Sequence, residues 1–105
     1  MAKKIKTIKA RRTTLPLDAA ENLDTPEAIE EFLTAALETG DAAFIAKSIG
    51  TAARAVGMSK IAKKAGLSRE NLYRSLNGKT KVELETVVRT LSALGIELTA
   101  RLKAA

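Results

Sequence analysis

The stretch MSKIAKKAGLSRENLYRSLNG, residues 58 to 78, decides the fold of this chain. It predicts two short helices joined by a turn at Gly66, a residue that can take the positive φ such a turn needs. Ser68 follows the turn, where its hydroxyl can accept from the N–H of Asn71 and cap the second helix. These features predict a helix-turn-helix, locked at a steep angle by the apolar residues Ile61, Ala62, Ala65, Leu67, Leu72 and Leu76.

The second helix of the motif, 68–76 with its cap, is predicted to turn a polar face outward because Leu72 and Leu76 point inward. Arginine can pair with guanine O6 and N7, and glutamate can accept from cytosine N4, so this face fits the DNA major groove. For each arginine the alternative is a contact with phosphate or water, and for Tyr73 a contact with sugar or phosphate, or a place beside the core. The predicted base-reading residues are Arg69, Glu70, Tyr73 and Arg74.

Basic residues surround this helix in the sequence, as groups that neutralise DNA phosphates should. A serine hydroxyl and a helix N-terminus can also bond phosphate oxygens. The alternative is a plain helical bundle in which Gly66 and Gly78 are ordinary helix caps and the lysines are solvated surface. The predicted phosphate contacts are Lys60, Lys63, Lys64, Ser68, Lys79 and Lys81.

Three further helices are predicted around the motif. One starts at Thr25-Pro26, a hydroxyl cap followed by proline, and carries its apolar residues at helical spacing up to Gly40. The next runs from about Ala42 to Val56, and the last from about Val82 to Ala93. Beyond them, residues 96–102 alternate apolar and polar, which predicts a β-strand. The fold class is therefore mainly α, with five helices and a C-terminal β-strand.

Charge is distributed in blocks along the 105 residues, which carry a formal net charge of +6. Residues 1–12 hold six basic side chains and no acid, whereas residues 13–46 hold eight acids and no Lys or Arg. Residues 47–81 are basic again. This pattern predicts two partners of opposite sign. We interpret residues 1–14 as a basic, flexible tail and residues 15–105 as a single helical domain.

Several short stretches along the chain form a recognisable pattern together with Ala62, Gly66 and Leu72 of the motif. They are DAAENLD (18–24), PEAI (26–29), ALETGD (36–41), FIA (44–46), NGKTK (77–81) and ALG (93–95). By this pattern, residues 58–95 resemble the Cro/cI-type helix-turn-helix family, whose fold is lambda repressor-like. From about Asp18 onward, the chain resembles the antidote (antitoxin) proteins of that superfamily, which are paired with small RelE/ParE-like toxins. The resemblance implies DNA binding with repression of the protein's own operon, and it matches Arg69, Glu70 and Arg74 to base-reading positions.

The resemblance gives the acidic half of the chain a specific role. Toxins of this kind have basic surfaces, so acidic helices can dock on them by charge complementarity. The alternative is a solvated helix face. We expect Phe32 and Phe44 to lie in the core, although either could add apolar contact area to the toxin interface. The predicted toxin-binding residues are Glu27, Glu30, Glu31 and Glu38.

A homodimer is predicted because one helix-turn-helix reads only about four to five base pairs, too few to select one site among about 10⁶ competitors. Two copies can read a palindrome with half-sites about 34 Å apart. The C-terminal strand has no obvious partner in a helical chain, and pairing with its symmetry mate would satisfy its edges. Residues 3–9 or a toxin are alternative partners. The predicted dimer residues are Ile96, Leu98, Ala100 and Leu102.

The absence of Cys and His excludes disulfides, Cys nucleophiles, His acid–base chemistry and zinc sites built on these residues. No Gly-rich phosphate loop is visible, so we predict neither an enzyme nor a cofactor. No apolar run approaches about 18 residues, and the basic N-terminus lacks the apolar core of a signal peptide, which favours the cytoplasm. We therefore predict a cytoplasmic antitoxin and autorepressor. The alternatives are a free-standing phage-type repressor without a toxin and a protein-interaction module only.

Overall fold

The computed structural model describes residues 22–104, and this part of the chain is helical. The predicted tail, 1–14, and the start of the predicted domain lie outside the described residues. Each predicted helix bound agrees with the observed one to within two residues. The helices are α1 (Pro26–Glu38), α2 (Ala42–Val56), α3 (Met58–Ala65), α4 (Arg69–Ser75) and α5 (Leu84–Ala93).

Three of these helices begin at side chains that cap them. The Thr25 hydroxyl accepts from the N–H of Ala28 at 3.1 Å, and the Asp41 carboxylate accepts from the N–H of Phe44 at 3.2 Å. Ser68 does the same at the start of α4. Because each cap satisfies an N–H that has no partner within its own helix, these residues define where α1, α2 and α4 start.

Helix α2 is central and packs against the other four helices. Its inner face consists largely of small side chains, with Ala52 and Ala53 fully buried and Ile49 only 1% exposed. These small residues let neighbouring helices approach closely. At Gly50, an added Cβ would lie 2.5 Å from the carbonyl oxygen of Leu76, so the chain just after α4 rests directly on the backbone of α2.

Several apolar side chains of the helices are exposed. Phe44, expected in the core, is 47% exposed because it lies in the first turn of α2, ahead of the first buried residue of that helix. Phe32 is partly buried and packs against the core, as expected. On α5, Leu84 and Val88 are exposed whereas Leu91 is buried. The apolar stripe of α5 is thus wider than the surface that α2 and α3 cover.

The β-strand predicted over residues 96–102 is not formed. Within residues 22–104 no residue belongs to a strand, and residues 96–104 have no regular secondary structure. A strand requires a second strand for its hydrogen bonds, and the described part of one copy supplies none. Ile96 packs against the core and its N–H donates to the carbonyl of Leu91 at 2.8 Å. Leu98, Ala100 and Leu102 are exposed.

Candidate nucleic-acid interface

Helices α3 and α4 are joined by a turn of three residues, 66–68. Gly66 takes the left-handed conformation with φ +74°, as the sequence predicted, and the N–H of Leu67 donates to the carbonyl of Ala62 at 2.9 Å. The Ser68 hydroxyl then accepts from the N–H of Asn71 at 3.0 Å. The turn is therefore held by hydrogen bonds at both sides, which fixes the direction in which α4 leaves it.

Helix α4 is anchored from one side only. Leu72 is fully buried, and Leu76, just past the helix end, is 2% exposed. The four predicted base-reading residues all lie on the opposite, solvent-exposed side, where Tyr73 is 41% exposed. The structure thus brings them together on one accessible face, formed by Arg69, Glu70, Tyr73 and Arg74.

The two arginines of this face are held by neighbouring side chains. The Cζ atom of Arg69 lies 5.7 Å from the ring centroid of Tyr73, and its Nη1 donates to the Ser59 hydroxyl at 3.4 Å. Nη2 of Arg74 donates to Oδ1 of Asn71 at 3.3 Å. Both guanidinium groups are therefore oriented by the protein's own side chains while remaining open to solvent.

The loop after α4 is ordered by its own side chains and by α2. Oδ1 of Asn77 accepts from the N–H of Lys79 at 2.7 Å, and the Thr80 hydroxyl donates to the carbonyl of Arg74 at 3.2 Å. Gly78 has φ +79°, and an added Cβ would come within 3.0 Å of the carbonyl oxygen of Ala43. Within this loop the left-handed backbone conformation is confined to Gly78.

The predicted phosphate contacts are all exposed. They lie on α3, at the cap of α4 and in the loop after α4, which are the elements that precede and follow the base-reading face along the chain. Two of them occupy the last turn of α3, where positive charge is favoured by the helix dipole. These residues are Lys60, Lys63, Lys64, Ser68, Lys79 and Lys81.

Sequence reasoning missed three polar side chains that order this face: Ser59, Asn71 and Thr80. A signal existed for Asn71, because it stands three residues before Arg74 on a helix, a spacing that brings side chains into contact. Ser59 gave no such signal, since it lies on α3, ten residues from Arg69. Only the crossing of the two helices brings Ser59 to its partner.

A second charged surface lies along α1. The four predicted toxin-binding acids lie on one outer face of this helix together with Thr34 and Ala35, and all four are exposed. Helix α1 itself carries no basic residue. The structure therefore brings together, as one continuous acidic surface, Glu27, Glu30, Glu31 and Glu38.

Comparison with known proteins assigns a family. A family model described as "Probable addiction module antidote protein" matches residues 13–102. An uncharacterized protein of Haemophilus influenzae is 38% identical over 80 residues, which cover 76% of this chain and 82% of that relative. No solved structure matches the chain significantly. Between residues 22 and 104, no helix is long and apolar enough to cross a membrane. The chain belongs to the family of probable addiction module antidote proteins.

Proposed function

We propose that this antidote protein binds double-stranded DNA by inserting α4 into the major groove, and that it represses its own operon. One observation carries the proposal: α4 is anchored by the fully buried Leu72 while Arg69, Glu70 and Arg74 stay exposed on its other side. A short helix held from behind in this way fits the groove, which is about 12 Å wide. The α3–α4 pair would then be a Cro/cI-type helix-turn-helix in a lambda repressor-like domain.

In this proposal the two classes of contact have separate roles. Arg69, Glu70 and Arg74 read base edges, whereas the lysines of α3 and of the loop after α4 neutralise phosphates and set the register on the duplex. The Ser68 hydroxyl already accepts a hydrogen bond at the α4 cap, so it would donate its proton to a phosphate oxygen. DNA affinity should therefore fall with salt, at a slope of about −0.9 for each neutralised phosphate.

We further propose that two copies of the chain bind DNA together. One copy reads too few base pairs for selectivity, and the C-terminal segment leaves unpaired backbone and exposed apolar side chains available to a second copy. The exposed Leu98, Ala100 and Leu102 would form the contact, whereas Ile96 stays packed on the core of its own copy. A palindromic operator with half-sites about 34 Å apart is the DNA that such a dimer fits.

The DNA proposal predicts that Arg69→Ala with Arg74→Ala weakens binding to DNA from immediately upstream of the gene by about tenfold to a hundredfold. A mobility-shift titration measures this loss, and footprinting of the wild type shows whether one or two half-sites are protected. Arg54→Ala with Lys103→Ala is the matched control, because it removes the same charge from two exposed residues that lie outside α4, the predicted phosphate contacts and the proposed dimer contact. This control should keep the wild-type affinity for upstream DNA.

Wild-type protein that binds upstream DNA no more tightly than random duplex would contradict the DNA proposal and would leave a protein-interaction module. Equal losses in the α4 variant and in the Arg54→Ala, Lys103→Ala control would mean that net charge alone sets affinity. In that case α4 is not the reading helix.

The family description and the charge pattern support a second element of the function, docking of a toxin on α1. We propose that the toxin is basic, because the exposed face of α1 carries four glutamates and the helix has no basic residue, and that it is RelE/ParE-like, as the resemblance of the sequence implies. Complementary charge speeds association and selects the partner, and an exposed aromatic side chain supplies contact area. Phe44, 47% exposed at the start of the neighbouring helix, can supply that area.

Charge reversal tests this docking surface. Glu30→Lys with Glu31→Lys should weaken binding to the product of the neighbouring gene by at least about tenfold, because like charges then face each other across the interface. Isothermal titration calorimetry at low salt measures the affinity. Glu83→Lys with Glu97→Lys is the control, since both residues are exposed and neither lies on α1. They stand just before and shortly after α5, which packs against α2 and α3. An unchanged affinity in the Glu30, Glu31 variant at low salt would remove α1 as the docking surface.

A further inference from the structure

The side chains of Arg69 and Tyr73, on the outer face of α4, are already in contact with each other in the free protein. We infer that Tyr73, assisted by Ser59, is a positioning residue that holds the Arg69 guanidinium for a guanine and so raises discrimination between DNA sequences. The inference rests on the proposed DNA binding and deepens it. It also changes the role of Tyr73, which the sequence suggested as a base-reading residue itself.

Two contacts converge on one guanidinium group. Tyr73 lies four residues after Arg69, the spacing at which side chains on a helix are neighbours. The 5.7 Å between Arg69 Cζ and the ring centroid is within the distance of about 6 Å at which a cation is attracted to an aromatic face. The Ser59 hydroxyl, contributed by a different helix, accepts from Nη1 at 3.4 Å. The guanidinium is thus held by α4 and α3 together.

The N–H donors of Arg69 that stay available are those that can bond to a guanine. Arginine has five N–H donors in a planar fork, and Ser59 engages only Nη1. Nε and Nη2 of Arg69, which form one edge of that fork, have no hydrogen-bond partner among the described residues. Two parallel N–H donors on one edge match the O6 and N7 acceptors of guanine in the major groove. Fixing Nη1 therefore leaves free an edge that can read the base.

Positioning of the Arg69 guanidinium should raise the affinity for a specific DNA sequence far more than the affinity for random DNA. A free arginine side chain loses much conformational freedom when it is held by a base, and a side chain that is already ordered loses less. Non-specific binding needs only positive charge near the phosphates, whatever the orientation of the fork. Loss of the Tyr73 ring should therefore lower discrimination between sequences and leave the electrostatic part of the affinity unchanged.

The test compares wild type with Tyr73→Phe and Tyr73→Leu on three duplexes. These are the upstream DNA protected in a footprint, the same duplex with single G·C pairs replaced, and a random sequence. Tyr73→Leu should reduce the discrimination against one replaced G·C pair by roughly two- to fivefold. Tyr73→Phe keeps the ring and should retain wild-type discrimination. Affinity for random duplex and the slope of affinity against salt should stay the same in both variants.

A second measurement detects the contact between Arg69 and Tyr73 in the free protein. Nuclear magnetic relaxation of the Arg69 Nε–H should show faster motion in Tyr73→Leu than in wild type or Tyr73→Phe, while the melting temperature is unchanged. Equal losses on specific and random DNA would overturn the inference, because Tyr73 would then contact the DNA backbone. Equal losses in Tyr73→Phe and Tyr73→Leu would also overturn it, because the hydroxyl would then be the active group. If wild type does not prefer upstream DNA, the proposed function fails, whereas the relaxation data still report on the Arg69–Tyr73 contact.

Discussion

Leu72→Ala is expected to lower the free energy of unfolding by about 3–5 kcal/mol. Leu72 is fully buried among the side chains of the core, so its replacement removes apolar contacts and leaves a cavity that rigid neighbours cannot fill. A loss of this size is a large share of the 5–15 kcal/mol that typically stabilises a domain. Urea unfolding followed by circular dichroism measures it, and DNA binding should be lost where the variant is unfolded.

Leu84→Ala is the matched control for this experiment. Leu84 is 73% exposed on α5, so the same chemical change should alter stability by no more than about 0.5 kcal/mol. A similar loss in the two variants would show that Leu72 is not the anchor of α4. In that case α4 would not be held from behind as an outward-facing reading helix.

Gly50→Ala is expected to destabilise the protein by about 2–3 kcal/mol, opposite in sign to the usual effect in a helix. Glycine to alanine within an exposed helix gains about 1 kcal/mol, because alanine loses less backbone freedom. At Gly50 the new Cβ would lie 2.5 Å from the carbonyl oxygen of Leu76, and a backbone atom cannot turn aside as a side chain can. Thermal unfolding measures the sign, with a fall of several degrees in melting temperature expected.

Gly40→Ala is the control that separates the effect of close packing around a new Cβ from the effect of a left-handed backbone. Gly40 has φ +69° with nothing within 4 Å of an added Cβ, so only the left-handed backbone opposes the change, at about 1 kcal/mol. Gly50→Ala should be clearly the more harmful of the two. A rise in melting temperature for Gly50→Ala would mean that α2 and the end of α4 do not approach as closely as described.

The helices and their starts were predictable because their signals are local. Thr25, Asp41 and Ser68 each satisfy an N–H three residues ahead, so a cap can be recognised without knowledge of the fold. The turn at Gly66 was predictable for the same reason. Local spacing also placed Leu72 inside and Arg69 outside, since α4 has apolar residues on only one of its faces.

Burial at the edges of a helix was less predictable, because periodicity shows which residues share a face and does not show how much of that face a neighbour covers. Phe44 and Leu84 have the apolar character and spacing of core residues, yet both are exposed. The β-strand predicted for the C-terminal segment was wrong for a related reason. Residues 96–102 alternate like a strand, but alternation supplies no second strand to bond with.

The amino-acid sequence alone determined the five helices, the caps that start three of them, the left-handed turn between α3 and α4, and the segregation of acidic and basic residues along the chain. Each of these depends on residues within a few positions of one another. Tertiary structure alone decided that Gly50 must lack a side chain and that Ser59 reaches Arg69. Both depend on backbones and side chains distant in sequence, which meet only because small residues on α2 and the turn at Gly66 let the helices cross closely.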